Sequence, residues 1–321
     1  MIKGLHAGRQ TTLREPATVS GIGVHSGLPA TLTLHPAEAD TGIVFSRCGV
    51  DGCADREVNA SFRYVTATEF ATVLGDHNGP AVSTTEHVLA ALFALGVDNA
   101  VVEVDGPEVP IMDGSAAAFV AAIDQAGITA ISAPRRCIEV LKPVRVRKGD
   151  SYGELRPHTR GLRIETEIEF DHPLIGRQGL QLDVEPGSFR REVARARTFG
   201  FMRDVAKLWT SGYALGATFD NTLVVTENRV LNPGGLRFAD EFVRHKALDA
   251  IGDLALAGAP LLGAYRSVRG GHKLNHAVLS ALIADPTAWR LVDAGQARRA
   301  ARGHADVALG LVAPAYGADV S

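Results

Sequence analysis

"VRHKALDAIGDL", residues 243–254, carries two patterns at once. Val243, Ala247, Leu248, Ile251 and Leu254 form an apolar stripe at the spacing of a core-facing helix. His245, Asp249 and Asp253 recur every fourth residue, and Lys246 stands beside the first of them. Each helical residue advances about 100°, so a step of four drifts only about 40° and the three groups form one polar seam. The stretch therefore predicts a helix with a buried face and a chemically loaded one. What the seam faces has to come from the rest of the chain.

Outward from this helix, strands and helices mix. "TVSGIGVHSGLPATLTLHPA" (18–37) holds two strand-like runs, with Thr31 to Leu34 alternating as a half-buried strand does, and "GIVFSR" (42–47) continues the sheet. "STTEHVLAALFALG" (83–96) predicts a helix opened by Ser/Thr and closed by Gly, "NAVVEVDG" (99–106) a strand, and "GSAAAFVAAIDQAG" (114–127) a second helix. "ITAISAPRRC" (128–137) reads as a junction. Strand signals resume in "CIEVLKPVRVRKG", "SYGELRP" and the long alternating "GLRIETEIEF", followed by helix signals at 200–211, 237–256 and 274–284. The expected class is α+β, with an N-terminal domain over 1–133, a C-terminal domain over 134–295 and a mobile tail over 296–321. The halves share element order without a sequence repeat.

Composition narrows the function. A chain of 321 residues with 46% hydrophobic and 21% charged residues suits a soluble, well-cored protein. The net charge of −3 argues against a general nucleic-acid binder. The N-terminus lacks the apolar run of a secretory signal, and "LALAGAPLLGAY", the greasiest stretch, is too short to span a membrane and broken by Pro260. Cys48, Cys53 and Cys137 fit a reducing cytoplasm better than a disulfide framework. "RCGVDGC" has no matching second pair, so it reads as a surface loop and any metal must be held by histidine and carboxylate.

Five places could carry chemistry. His245 and Asp249, at i and i+4, can both reach one metal, although a solvated helix face with a His–Asp pair explains the same spacing. In "STTEHVLAAL", Ser83-x-x-Glu86 fits a capping box with His87 incidental; the sharper reading makes His87 a third ligand and Glu86 a base aimed at water. "RGGHKLNH" places two glycines before His272, which is either a proton donor or a loop residue ahead of a helix. "RARTFGFMRD" carries Thr198 and Phe199. "PIMDGSAAAF" reads as a turn in which Asp113 or Ser115 caps the next helix. The role of His25, near a hairpin turn, stays open.

Taken together, "STTEHVLAAL", "PIMDGSA", "ARARTFGFMRD", "VLNPGGLRFADEFVRHKALDAIGDL" and "GGHKLNH" resemble, in order and spacing, the UDP-3-O-acyl-N-acetylglucosamine deacetylases of lipid A biosynthesis in Gram-negative bacteria. The resemblance covers about residues 10–294; the loop "RCGVDGCADREV" and the tail depart from it. It implies two similar layered α+β domains with one metal between them, zinc or, in the cell, iron(II). It implies His87, His245 and Asp249 as ligands, Glu86 as general base, Thr198 at the oxyanion, and His272 as general acid paired with Asp253. Phe199 and Lys246 would belong to the substrate site, and the chain would act as a cytoplasmic monomer on a UDP-linked, acylated amino sugar. By the same analogy, Phe201, Val205, Leu215, Phe219 and Val224 would line a passage for the acyl chain, although plain domain core is the alternative for these residues. The rival functions are another zinc amidohydrolase with a different N-acylated substrate, and a silent zinc-stabilised binding protein.

Overall fold

The computed structural model describes residues 8–48 and 56–295; Cys53 and the expected tail lie outside that range. Six α-helices occur among the described residues: α1 (Glu86–Leu95), α2 (Ala117–Ala126), α3 (Pro186–Glu192), α4 (Val205–Thr210), α5 (Glu241–Ala255) and α6 (His272–Ala284).

Two five-strand arrangements with the same topology organise the chain. In the first half, strands Ala17–Ile22, Pro29–Pro36, Ile43–Arg47, Arg56–Asn59 and Ala100–Val104, counted in chain order, lie side by side as 1-2-5-3-4. In the second half, Val144–Lys148, Ser151–Arg156, Leu162–Glu169, Arg177–Asp183 and Leu261–Val268 repeat that order. In both, strands three and five run parallel and every other neighbour pair is antiparallel. A parallel pair needs a crossover, and each crossover ends in a helix, α1 in the first half and α5 in the second. The helix after strand five is α2 in one and α6 in the other. The mixed α+β class expected from the sequence is thus present in duplicate.

The two crossovers also carry inserts. The first holds a three-stranded sheet of Val65–Ala67, Val73–Asp76 and Gly79–Val82. The second holds α3, α4 and a parallel pair, Phe199–Phe201 with Leu223–Val225. The helix expected over 200–211 therefore begins as a strand, because Phe199–Phe201 finds a partner more than twenty residues away that local periodicity cannot show. The junction stretch is likewise a strand, Ile128–Pro134, paired with Arg9–Leu13, and Arg136–Val140 follows it directly into the second half.

Alternation in the strands sets the core. Leu32 and Leu34 of the first half and Leu162, Ile164 and Ile168 of the second point inward and are buried. α1 is apolar on nearly every side, which a helix tolerates only when covered all round, and all its residues but Phe93 are buried. It ends at Gly96, whose φ of +79° lets the next amide, Val97 N–H, return to the Leu92 carbonyl. α1 packs on α5, whose stripe of Val243, Ala247, Leu248, Ile251 and Leu254 has no solvent exposure at all. Burial of each large apolar side chain contributes roughly 1.5–3 kcal/mol. Gly252 makes the contact between the helices close: a Cβ there would run into the Glu86 carbonyl oxygen. No described helix is long and apolar enough to cross a membrane.

Candidate active site

The polar seam of α5 is not solvated. His245, Asp249 and Asp253 are 2%, 1% and 2% exposed, so a surface His–Asp pair is not the explanation of their spacing. Burying polar groups costs free energy unless they find partners, and the first of those partners come from α1. His87 on α1 directs Nε2 toward Asp249 Oδ1 at 3.7 Å, and His245 Nε2 approaches the same oxygen at 3.3 Å. The other Asp249 oxygen accepts a hydrogen bond from Lys246 Nζ at 2.8 Å. Oδ1 itself is buried without a hydrogen-bond partner.

The side chains of His87, His245 and Asp249 could together hold one divalent cation. One donor atom from each of His87, His245 and Asp249 lies within 4.8 Å of the others. Ligands about 2.0–2.2 Å from a tetrahedral zinc lie roughly 3.3–3.6 Å from one another, close to the spacings seen here. His245 is oriented for coordination by its backbone partner. Its Nδ1 donates to the Ala196 carbonyl at 3.0 Å, which leaves Nε2 free to bind a metal. Burial lowers its pKa to about 4, against the pull of Asp249, so the ring is neutral as a ligand must be. Burial works against the charge on Asp249, but its positively charged surroundings, Lys246 Nζ at 2.8 Å among them, hold its carboxyl well below the usual range. The Ala196 carbonyl is itself fixed by the next residue: buried Arg197 forks onto Glu241 in the first turn of α5, with Nε to Oε1 at 2.9 Å.

Glu86 is the first residue of α1, with Thr85 at the N-cap and no side-chain cap hydrogen bond. The capping box expected from Ser83-x-x-Glu86 does not form, because Glu86 sits one residue past the cap and not three, and its carboxylate goes elsewhere. Glu86 Oε2 accepts from the Thr72 amide at 3.0 Å, while Oε1 lies 3.8 Å from His272 Nε2. Burial raises the Glu86 pKa, opposed by His272 and His87. His272 opens α6, where the positive end of the helix dipole disfavours an imidazolium. Burial disfavours it too, yet Asp253 and Glu86 outweigh both and push the pKa up to about 10. The Asp253 bond is direct, His272 Nδ1 to Oδ2 at 2.8 Å. Acid and base thus face each other with displaced proton affinities, in the sense that proton-transfer chemistry at amides needs.

Glu86, His87, His245, Asp249 and His272 line one cavity of about 450 Å³, with Asp253 behind His272. Thr198, Phe199 and Lys246 join them in its wall. The helical angle of Lys246 predicts a place at the rim; its ammonium instead folds back to Asp249 and lies 5.7 Å from the centre of the Phe199 ring. Thr198 is placed by its own backbone, its amide donating to the Gly114 carbonyl at 2.8 Å and its carbonyl accepting from Leu223. The five residues expected to line an acyl passage lie outside this wall. Phe201 packs with Phe170 and His172 in a small second core, and Leu215 and Phe219 are more than half exposed. Val205 opens α4, and Val224 sits inside the strand paired with Phe199–Phe201. Their segment reaches the cavity through Leu208, Ala214 and Ala217 instead.

Sequence reasoning leaves three wall-building residues unassigned. His25 lines the cavity and meets Tyr213 edge-on at 5.4 Å. Buried Glu108 holds its loop, accepting from the amides of His25 and Ser26 and from the Thr84 hydroxyl. Thr72 touches both Glu86 and Asp253. None has a local signal, since each partner lies far off in the chain; only the open question over His25 points the right way.

Residues 10–284 match the family described as UDP-3-O-acyl N-acetylglycosamine deacetylase. Proteins named UDP-3-O-acyl-N-acetylglucosamine deacetylase from Brucella ovis and Brucella canis are 51% identical over 286 residues, which is 89% of this chain and 99% of theirs. The protein of that name from Brucella melitensis biotype 2 is 50% identical over the same span. Nearly the whole of each relative is matched, site helices included, and the chain belongs to the UDP-3-O-acyl N-acetylglycosamine deacetylase family.

Proposed function

We propose that this chain removes the acetyl group of a UDP-3-O-acyl-N-acetylglucosamine by hydrolysis, releasing acetate and the free amine in lipid A biosynthesis. The observation that carries this reading is the meeting of a ligand triad with an oppositely tuned acid and base in one cavity. Zinc suits the donors His87, His245 and Asp249, iron(II) accepts the same set, and a cation held there would acidify water and polarise the amide carbonyl. Glu86, its proton affinity raised by burial, takes the proton of the attacking water. Thr198 stands at the cavity wall as donor to the oxyanion. His272, held as imidazolium by Asp253, gives its proton to the departing sugar nitrogen. Phe199 and Lys246, in the same wall as the ligand residues, would contact the substrate.

The rest of the substrate has matching walls. Lys148 and Lys273 suit a diphosphate, while Phe70, Ile111 and Leu208 suit an acyl chain. The volume is in the range of about 300–1,000 Å³ usual for small-molecule sites. We assign residues 1–133 and 134–295 to two domains with this site between them, working as a monomer in the cytoplasm. Acetate release by the purified chain, with and without added zinc, tests the reading. The acylated substrate should turn over far faster than its de-O-acylated counterpart, since each buried methylene is worth about 0.8 kcal/mol. Equal turnover of the two would remove the acyl chain from recognition, and no acetate from either would refute the activity.

A further inference from the structure

We propose that Thr72 is a positioning residue that locks the general base and the general acid into one unit; the inference rests on the roles proposed above for Glu86 and His272. Thr72 is 2% exposed and lies just before the strand Val73–Asp76, in the insert of the first crossover. Every polar group it has is engaged with the site. Its amide donates to Glu86 Oε2 at 3.0 Å. Its carbonyl accepts from the amide and hydroxyl of Thr85, the residue before Glu86, at 3.3 and 3.2 Å. Its hydroxyl lies 2.5 Å from Asp253 Oδ1 and 3.3 Å from His272 Nδ1.

Proton counting decides how that hydroxyl is used. For His272 to be an acid at Nε2, its Nδ1 proton has to stay on the ring, and that proton is committed to Asp253 Oδ2 at 2.8 Å. The single Thr72 hydroxyl proton therefore goes to Asp253 Oδ1. Asn275 Nδ2 adds a second donor to Oδ2 at 2.8 Å. With both oxygens held from three directions, the Asp253 carboxylate cannot swing, and the imidazole keeps Nε2 turned toward Glu86 Oε1 at 3.8 Å. The Thr72 amide does the same for the base, occupying Oε2 and leaving Oε1 on the side of His272. One residue outside α1, α5 and α6 thus sets the spacing between groups carried by all three. Small displacements of such groups are costly, because proton transfer demands hydrogen-bond reach.

The test separates the hydroxyl from the packing. Thr72→Val keeps the shape and the amide bond to Glu86 but removes the hydroxyl. It should lower kcat roughly 10- to 100-fold, the value of a hydrogen bond to a charged group, with KM, metal content and melting temperature nearly unchanged. Thr72→Ser should recover kcat to within about 3-fold of wild type, since only the methyl is lost. In a His272→Gln background, Thr72→Val should add less than about 2-fold, because it acts through a pair already broken. Full kcat in Thr72→Val, or a loss that multiplies with that of His272→Gln, would overturn the proposal. If Thr72→Val does not fold, Thr72→Ala must show the same kcat loss per folded molecule, and wild-type kcat there overturns it equally. Full activity in His272→Gln alone would instead refute the acid assignment on which the inference rests.

Discussion

The two halves of the molecule share a topology and divide the chemistry unequally. Each contributes a crossover helix to the contact at the centre, and each contributes a threonine from its crossover insert, Thr72 from the first and Thr198 from the second. The first crossover helix, α1, carries the proposed base Glu86 and the proposed ligand His87 in its first turn. The second, α5, carries the proposed ligands His245 and Asp249, and Asp253, along two full turns. The helices after strand five diverge further. α6 opens on His272, held by Asp253 in the site, whereas α2 opens on a turn in which Asp113 and Ser115 bond to each other and Ser115 Oγ accepts from the Ala117 amide. The same framework position thus holds the proposed acid in one half and a structural turn in the other. Topology brings helix ends together, and single side chains at those ends decide what happens there.

Breaking the ligand set should have the largest effect, and it spans the halves. His87→Ala from one half and His245→Ala or Asp249→Ala from the other should lower metal content and activity together, by about 10³-fold or more in rate, as expected when charge relief at the carbonyl is lost. Metal analysis beside the assay checks it, and full occupancy in all three would break the assignment. The acid comes next. With His272 raised to about 10 from 6.5, its active imidazolium persists into alkaline solution, so the falling limb of kcat/KM lies above the ordinary histidine range. Asp253→Asn removes the foremost stabiliser of the charge, so the limb must move to lower pH; an unmoved limb would take Asp253 out of this role. The smallest effect is expected at the corresponding position of the first half. Ser115→Ala should cost about 1 kcal/mol of stability in a denaturant titration and leave kcat per folded molecule unchanged. A kcat loss there would mean that the halves are less unequal than their side chains indicate.

How much of this is legible in the sequence follows from how far apart the partners lie. The α5 seam can be read because its residues are four apart, and helical geometry alone aligns them. The ligand triad cannot be closed from spacing, since His87 joins from a helix more than 150 residues earlier; the family resemblance supplies it. Ser83-x-x-Glu86 matches a capping box locally, but the Thr72 amide takes the glutamate, a tertiary contact overriding a local pattern. Residues 200 and 201 read as the start of a helix for the same reason, the strand partner of Phe199–Phe201 being distant. Thr72 sits in "ATVLGD", a stretch with nothing to mark it, and its hydroxyl reaches Asp253 across 181 positions. The acyl-passage residues are chosen by segment and apolarity, which cannot show that Phe201 packs against the small second core or that Val224 lies in the strand beside it.

The central claim is that Glu86 acts as a base beside a metal and is not a helix cap. Glu86→Gln tests it most directly, since the amide keeps the size of the side chain and can still accept from Thr72. Acetate release and metal content should be measured on the same purified sample. The account predicts full metal content, a melting temperature close to wild type and a kcat lower by about 10²-fold or more. A variant that melts early yet keeps its rate per folded molecule would contradict it.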